Sequence, residues 1–417
     1  MSTVSRRALL GGAGALAIGA VAGCSSGTDG ATTTAGGTTG ADPASAASQH
    51  LPFYGPHQAG VTAQHQPQSL MAAFDVVGAD RDELRATFQT LTEESARLMG
   101  GEPYPERDPS YPPLHTGHVG NPAPPADLSI VVSVGASLFD DRFGLADRRP
   151  IELRQMPFLA NDRLDPARSH GDLLVTIAST SQDMNLFALR QLMRATRSTL
   201  TLHWMLDGFT RRTEAEPGGA GVRNLMGFVD GTVNPDVTAT TELDELVWVG
   251  AGDGEPAWAV GGTYQVVRTI RMRVEFWDRV RLSEQEALIG RRKSDGAPLD
   301  GARELDEPDF AADPDGDVTP LSAHIRLANP RTPEVAGQRI LRRGFSYSRG
   351  FDGAGQLDQG LQFVSYQRSI DRQFMPIIER LDGEPLEEYL LPEGGGFFFV
   401  LPGVADEGRS FGDGLFS

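Results

Sequence analysis

One acidic side chain set between glycines is the feature of this 417-residue chain best suited to proton chemistry: Gly227-Phe228-Val229-Asp230-Gly231-Thr232-Val233-Asn234-Pro235. Glycine has no Cβ, so the backbone on either side of Asp230 can take positive φ or pass close to a flat ligand. A tight turn of that kind would aim the carboxylate, as a general acid or base requires. Asp-Gly-Thr and Asn-Pro are also ordinary turn dipeptides, and the stretch alone does not choose between the two readings. Two further stretches matter. Ala323-His324-Ile325-Arg326-Leu327-Ala328-Asn329-Pro330-Arg331 contains one of the chain's histidines, and a lone histidine by itself reads as a hydrogen-bonded core or surface residue. Ile340-Leu341-Arg342-Arg343-Gly344-Phe345-Ser346-Tyr347 carries two adjacent guanidiniums.

The elements that must position these side chains follow from the apolar pattern. Residues 69–77, 128–134, 172–178 and 200–206 read as strands, with helices over 80–99 and 185–196; Leu84, Phe88, Leu91 and Leu98 recur near helical spacing. A second round follows: strands at 263–274, 362–366 and 397–400, and helices over 275–281, 283–290 and 371–380. Two rounds of strand, helix and strand predict a duplicated α+β unit, each half an antiparallel sheet carrying helices on one face. The halves are placed at residues 51–215 and 216–417. Residues 208–262 join them and contain Asp230, and a junction between two sheets is where a large buried ligand is expected.

Composition narrows the chemistry. Lys and Arg number 37 against 56 Asp and Glu, a net charge of −19, so binding to a nucleic-acid phosphate backbone is not expected. The short basic cluster Arg291-Arg292-Lys293 reads as a solvated turn. The one cysteine, Cys24, excludes intramolecular disulfides and cysteine-rich zinc or iron–sulfur sites. No His-Glu-x-x-His pair occurs among the eight histidines, so any metal enters through His and carboxylates or inside a cofactor.

At the start of the chain Arg6-Arg7 precede a Gly/Ala-rich apolar run too short to span a bilayer. This resembles a twin-arginine export signal, and Val21-Ala22-Gly23-Cys24 resembles a lipobox in which Cys24 becomes the lipidated first residue. Residues 1–23 are read as the signal and 24–50, rich in Gly, Thr, Ala and Ser, as a tether. The expected destination is the outer face of the cytoplasmic membrane, or the periplasm or exterior.

Taken together, the GxxDG element around Asp230, the His-Ile-Arg-Leu-Ala-Asn-Pro-Arg run and the arginine that follows resemble the dye-decolourising peroxidases, most closely the deferrochelatase/peroxidase-like branch. The resemblance runs from His57-Gln58-Ala59-Gly60 to Gly394-Gly395-Gly396-Phe397-Phe398. It implies two ferredoxin-like halves forming one haem-binding, dimeric α+β barrel-like unit. It also implies haem b as cofactor, with hydrogen peroxide used to oxidise dyes or phenols by two-electron chemistry at the iron.

Residue by residue, it places His324 as the proximal iron ligand, Asp230 as the distal acid–base residue and Arg342 as the distal arginine. Gly231, Thr232, Val233, Asn329, Pro330 and Arg331 fall at contacts to haem and its propionates. Glu388, or its neighbour Glu387, is the candidate carboxylate behind the proximal imidazole. Gly344 stands where other branches carry Asn, which argues against the manganese oxidation of those relatives. Trp204, Trp248, Trp258, Trp277 and Tyr389 are candidates for electron transfer to bulky donors. The alternative function is iron acquisition, by taking iron from haem or by oxidising ferrous iron for an uptake permease. Implied partners are hydrogen peroxide and a small organic electron donor; homo-oligomerisation stays open.

Overall fold

Alternation of side chains along the strands decides how this chain packs. The computed structural model describes residues 49–211 and 222–417; the expected signal and lipidation site, with Arg6, Arg7 and Cys24, fall outside the described residues. The first half runs β1 (Gln68–Val76), α1 (Arg81–Gly100), β2 (Ser129–Gly135), β3 (Leu173–Ser179), α2 (Gln182–Ala195) and β4 (Leu200–Phe209). Two short strands, β5 (Val222–Arg223) and β6 (Val229–Asp230), and α3 (Thr240–Leu246) follow. The second half begins with β7 (Thr263–Met272), α4 (Val274–Trp277), α5 (Leu282–Ile289) and α6 (His324–Ala328). It continues through β8 (Leu341–Arg342), β9 (Phe345–Phe351), β10 (Leu357–Gln367), α7 (Met375–Leu381) and β11 (Leu390–Val400).

Each half is a βαββαβ unit with ferredoxin-like strand order, β2-β3-β1-β4 in the first and β11-β7-β10-β9 in the second. The two sheets do not remain separate. β11 pairs with β2, β4 meets β9 at Phe209 and Ser346, and the eight strands close into one antiparallel barrel. Closure removes exposed sheet edges. Residues of one parity, among them Met71, Ala73, Val131, Leu174, Trp204, Val267, Val364 and Phe398, form one buried cluster spanning both halves. Their neighbours Leu70, Ala72, Ile130, Leu173 and Val266 belong to a second cluster, shared with Leu84, Phe88 and Leu91 of α1 and Phe187 of α2.

Local signals explain the helix ends. Asp80 caps α1 by accepting from the backbone N–H groups of Asp82 and Glu83, and Gly101 ends it at φ +67°. Predicted and observed bounds agree within a few residues for β1 to β4, α1, α2 and β7. Three differences are informative. The helix expected over 275–281 is only the single turn α4. The segment 371–380 opens as a π-turn over Ile370–Phe374 before α7 begins. The closing strand starts at Leu390, running through Pro392 and the three glycines rather than after them.

Those glycines let chains from both halves cross. Backbone of Arg168–His170 lies against Gly394–Gly396, and His170 N–H donates to Gly395 O at 2.8 Å. Gly395 has φ +114°, and a Cβ there would sit 2.0 Å from Val267 O. We expect Gly395→Ala to destabilise the protein by about 2–4 kcal/mol, combining overpacking with a disfavoured φ. Gly353→Ala, in open space, should change stability by less than about 0.5 kcal/mol. Paired thermal unfolding curves measure both.

Candidate active site

A cavity of about 520 Å³ lies against the second half of the barrel. Its floor is one face of the sheet, through Arg268, Ile270 and Met272 of β7 and Leu361 and Phe363 of β10. It is therefore not at the seam between the sheets, where the sequence placed it. The cavity occupies the outer face of the second half, since Ile270, Met272, Leu361 and Phe363 alternate along their strands with Val267 and Val364 of the barrel-spanning cluster. Residues 158–162 of the first half contribute one end. A smaller cavity of about 180 Å³ adjoins it, sharing Val233, Arg291, His324, Ile325, Arg342 and Phe363.

His324 begins α6 and lines both cavities. Its Nδ1–H donates to Glu384, 2.9 and 3.0 Å from the two carboxylate oxygens, which leaves Nε2 as the lone-pair nitrogen. Burial opposes a charge on His324, but the Glu384 carboxylate outweighs it and raises the imidazole above its ordinary value. The carboxylate bonded to the His324 imidazole is thus Glu384 and not Glu388 or Glu387. Leu386–Tyr389 wind into a 3₁₀ turn that leaves Glu388 exposed, while Glu387 accepts from Gly383 N–H. Glu384 precedes Pro385, which holds it extended (φ −62°, ψ 145°) and out of that turn.

α6 has five residues and is fixed by its neighbours. Arg326 pairs with Asp313 at 3.2 Å and donates to Thr319 O, and its guanidinium lies over Phe310. Arg380 of α7 donates to Leu327 O and Ala328 O at 2.9 and 3.0 Å, covering carbonyls the short helix leaves without partners.

On the other side, Gly227 and Gly231 take φ +87° and +91°, as their spacing suggested, and carry Asp230 to the cavity wall. Arg342 Nη1 lies 3.1 Å from Asp230 Oδ1. Arg343, one residue on, points the other way and donates to Ala63 O and Gln66 Oε1. The structure thus brings Asp230, Arg342 and His324 to one cavity, with Gly231, Thr232 and Val233 in its wall. Asn329 and Arg331 line the smaller cavity; Pro330 lines neither and shapes the turn between them. Arg331, at φ +62°, holds Glu307 at 3.4 Å.

Arg291 overturns the reading of residues 291–293 as a solvated turn. It is 5% exposed, lines both cavities and donates to Gly296 O and Glu304 O. Burial lowers its pKa, and Arg331 and Arg342 push the same way. No sequence signal separates Arg291 from Arg292; burial alone does so. A largely apolar space lined by one imidazole on a carboxylate and by several guanidiniums suits a large apolar ligand bearing acid groups. Among the candidate electron-transfer residues, Trp277 and Tyr389 pack 5.0 Å apart behind Phe228, which lines the cavity. Trp204 and Trp248 lie in the barrel-spanning cluster and Trp258 in the outer core.

Comparison with known proteins relates both halves to one family. The family model "Dyp-type peroxidase, N-terminal" matches residues 58–210, and "Dyp-type peroxidase, C-terminal" matches 221–405. The chain is 46% identical over 413 residues to a deferrochelatase of Escherichia coli K12, covering 99% of this chain and 96% of that one. It is 47% identical over 359 residues to a deferrochelatase of Yersinia pestis, covering 86% and 83%. Among solved structures, a DyP-type peroxidase from Cellulomonas bogoriensis superposes at TM-score 0.79 with 34% identity, covering 89% of this chain and 99% of that one. One from Streptomyces coelicolor does so at 0.79 with 37% identity, covering 89% and 98%. Matched along both halves and resembled over its full length, this chain belongs to the Dyp-type peroxidase family, and it is a haem-binding enzyme.

Proposed function

We propose that this protein is an exported haem b peroxidase that uses hydrogen peroxide to oxidise small organic electron donors such as dyes and phenols. The observation that carries the reading is the pairing across one cavity of His324–Glu384 with Asp230–Arg342. His324 Nε2 would hold the iron, and Arg331 and Arg291 would take the propionates, with Thr232, Val233 and Asn329 along the same edge. Haem bound there supplies an iron that can accept a peroxide oxygen and be oxidised by two electrons.

The remaining work falls to the chain's own side chains. Asp230 takes the proton from the incoming peroxide on a carboxylate oxygen and returns it to the departing oxygen. Arg342, 3.1 Å away, pairs with that carboxylate and stabilises the negative charge that develops as the O–O bond breaks. Glu384 fixes the ring of His324 and strengthens Nε2 as a donor. Leu361, Phe363, Ile270 and Met272 make the surrounding surface apolar, which strengthens each of these electrostatic effects.

A second reading has its own support, since the curated relatives carry the name deferrochelatase. In it the site removes iron from haem and leaves the porphyrin whole, or oxidises ferrous iron for an uptake permease. Export by the twin-arginine route, lipidation of Cys24 and anchoring to the outer face of the cytoplasmic membrane complete the proposal. Mass spectrometry of the membrane fraction, showing an acylated N-terminal Cys24, tests the anchor.

With haem supplied, the purified protein should show a Soret band that changes with one equivalent of peroxide. His324→Ala should abolish or change the axial ligation of the iron. Asp230→Asn and Arg342→Leu should retain haem but lower the rate with peroxide by roughly 10²–10⁴-fold each. Unchanged rates in both would remove the assignment of the acid and the arginine. Intact iron-free porphyrin as the main product would favour the second reading.

A further inference from the structure

Asp230 and Arg342 come from different elements, and something must hold them in register. Arg342 sits on β8, which among the described residues pairs with β10 alone, through Leu341 and Arg342. The outward N–H and C=O of Arg342 are therefore edge groups that need partners. Both go to one side chain: Asn234 Nδ2 donates to Arg342 O at 2.7 Å, and Arg342 N–H donates to Asn234 Oδ1 at 3.1 Å. This is the pair of bonds a neighbouring strand would make. The Asn234 N–H in turn donates to Gly231 O at 3.0 Å, closing the Gly231–Asn234 turn that follows Asp230. Among the described residues, the Asp230 backbone is paired through the two residues of β6 with β5. The ion pair alone is weak as a fastener, because both side chains are about 30% exposed to the cavity (28% and 31%).

We propose that Asn234 is a positioning residue that docks the Asp230 turn onto β8 and sets the spacing of the Asp230 carboxylate from the Arg342 guanidinium. It lines neither cavity, so its effect is exerted through the pair. The proposal rests on the reading of Asp230 and Arg342 as the groups that handle peroxide. A displacement of about 1 Å at such a pair costs up to about 10²-fold in rate. Neither arm touches α6 or Glu384, so the proximal side is left alone.

The test uses full-length protein bearing Asn234→Ala, and Asn234→Asp, which keeps the shape but loses the donor to Arg342 O. In the haem-free protein, hydrogen exchange of the Arg342 amide should accelerate at least about tenfold in Asn234→Ala, and amides of β7 should not change. In the haem-loaded protein, the rate constant with peroxide should fall by roughly 10–10²-fold while KM for the donor and the iron's axial ligation stay as they were. Adding Asn234→Ala to Asp230→Asn should then lower the rate no further, since there is no acid left to misplace. Unaltered Arg342 amide exchange would overturn the docking, and an additive double variant would show that Asn234 acts on stability and not on the pair. If Asp230→Asn alone leaves the rate unchanged, the functional reading fails while the exchange result still judges the clasp.

Discussion

The hydrogen bond between His324 and Glu384 constrains everything around it. The Glu384 side chain is 5% exposed, and an ionised carboxylate so enclosed is costly unless paired. The Nδ1–H of His324 supplies that pairing, and removing either partner would leave the other unpaired. The bond also dictates which ring nitrogen faces the cavity. α6, a five-residue helix, cannot hold the imidazole unaided, since short helices are marginal without tertiary support. Arg326 and Arg380 provide the support, and the Asn329–Arg331 turn that follows inherits its position from them.

The barrel explains why space for a cofactor exists in one half and not the other. Both halves share one topology, and in both the connection after the first strand returns across the outer face of the sheet. In the first half that connection contains the twenty-residue α1, whose Leu84, Phe88 and Leu91 join the core. In the second, the chain between β7 and β8 is spent on short elements, α4, α5 and α6, and on long loops between them. The sheet face that α1 covers in one half lines a cavity in the other. Duplication thus yields one half that supplies stability and one that supplies a site, with residues 158–162 of the first reaching over to finish the wall.

Electrostatics divide in a similar way. The chain carries a net charge of −19, yet the smaller cavity is bordered by Arg291, Arg331, Arg339 and Arg342. Burial lowers the pKa of Arg291, and Arg331 and Arg342 push the same way while Glu304 opposes them. Its backbone-carbonyl partners, and the Thr232–Glu304 hydrogen bond beside it, keep it in place. An anionic edge on a ligand would relieve the mutual repulsion, which is how an acidic protein can bind a molecule bearing carboxylates.

Much of this was legible one residue at a time. Positive φ at Gly227 and Gly231, the cap at Asp80, the apolar face of α1 and most strand positions follow from local rules, because each depends on dihedral limits or on period within a few residues. The resemblance carried His324, Asp230 and Arg342 for the same reason: each sits in a short contiguous motif. Glu384 escaped because it lies 60 residues beyond His324 and only packing chooses it over Glu387 and Glu388. The Pro385 that holds it extended was the one local hint. Arg291 escaped because burial of one arginine in a basic cluster is a property of the fold, with no trace in spacing. Closure of two sheets into a barrel was decided by pairings between distant strands, such as Phe398 with Gly135. Sequence settled what each segment could form locally; tertiary structure decided which distant groups meet, since burial and pairing energies exist only once the segments have come together.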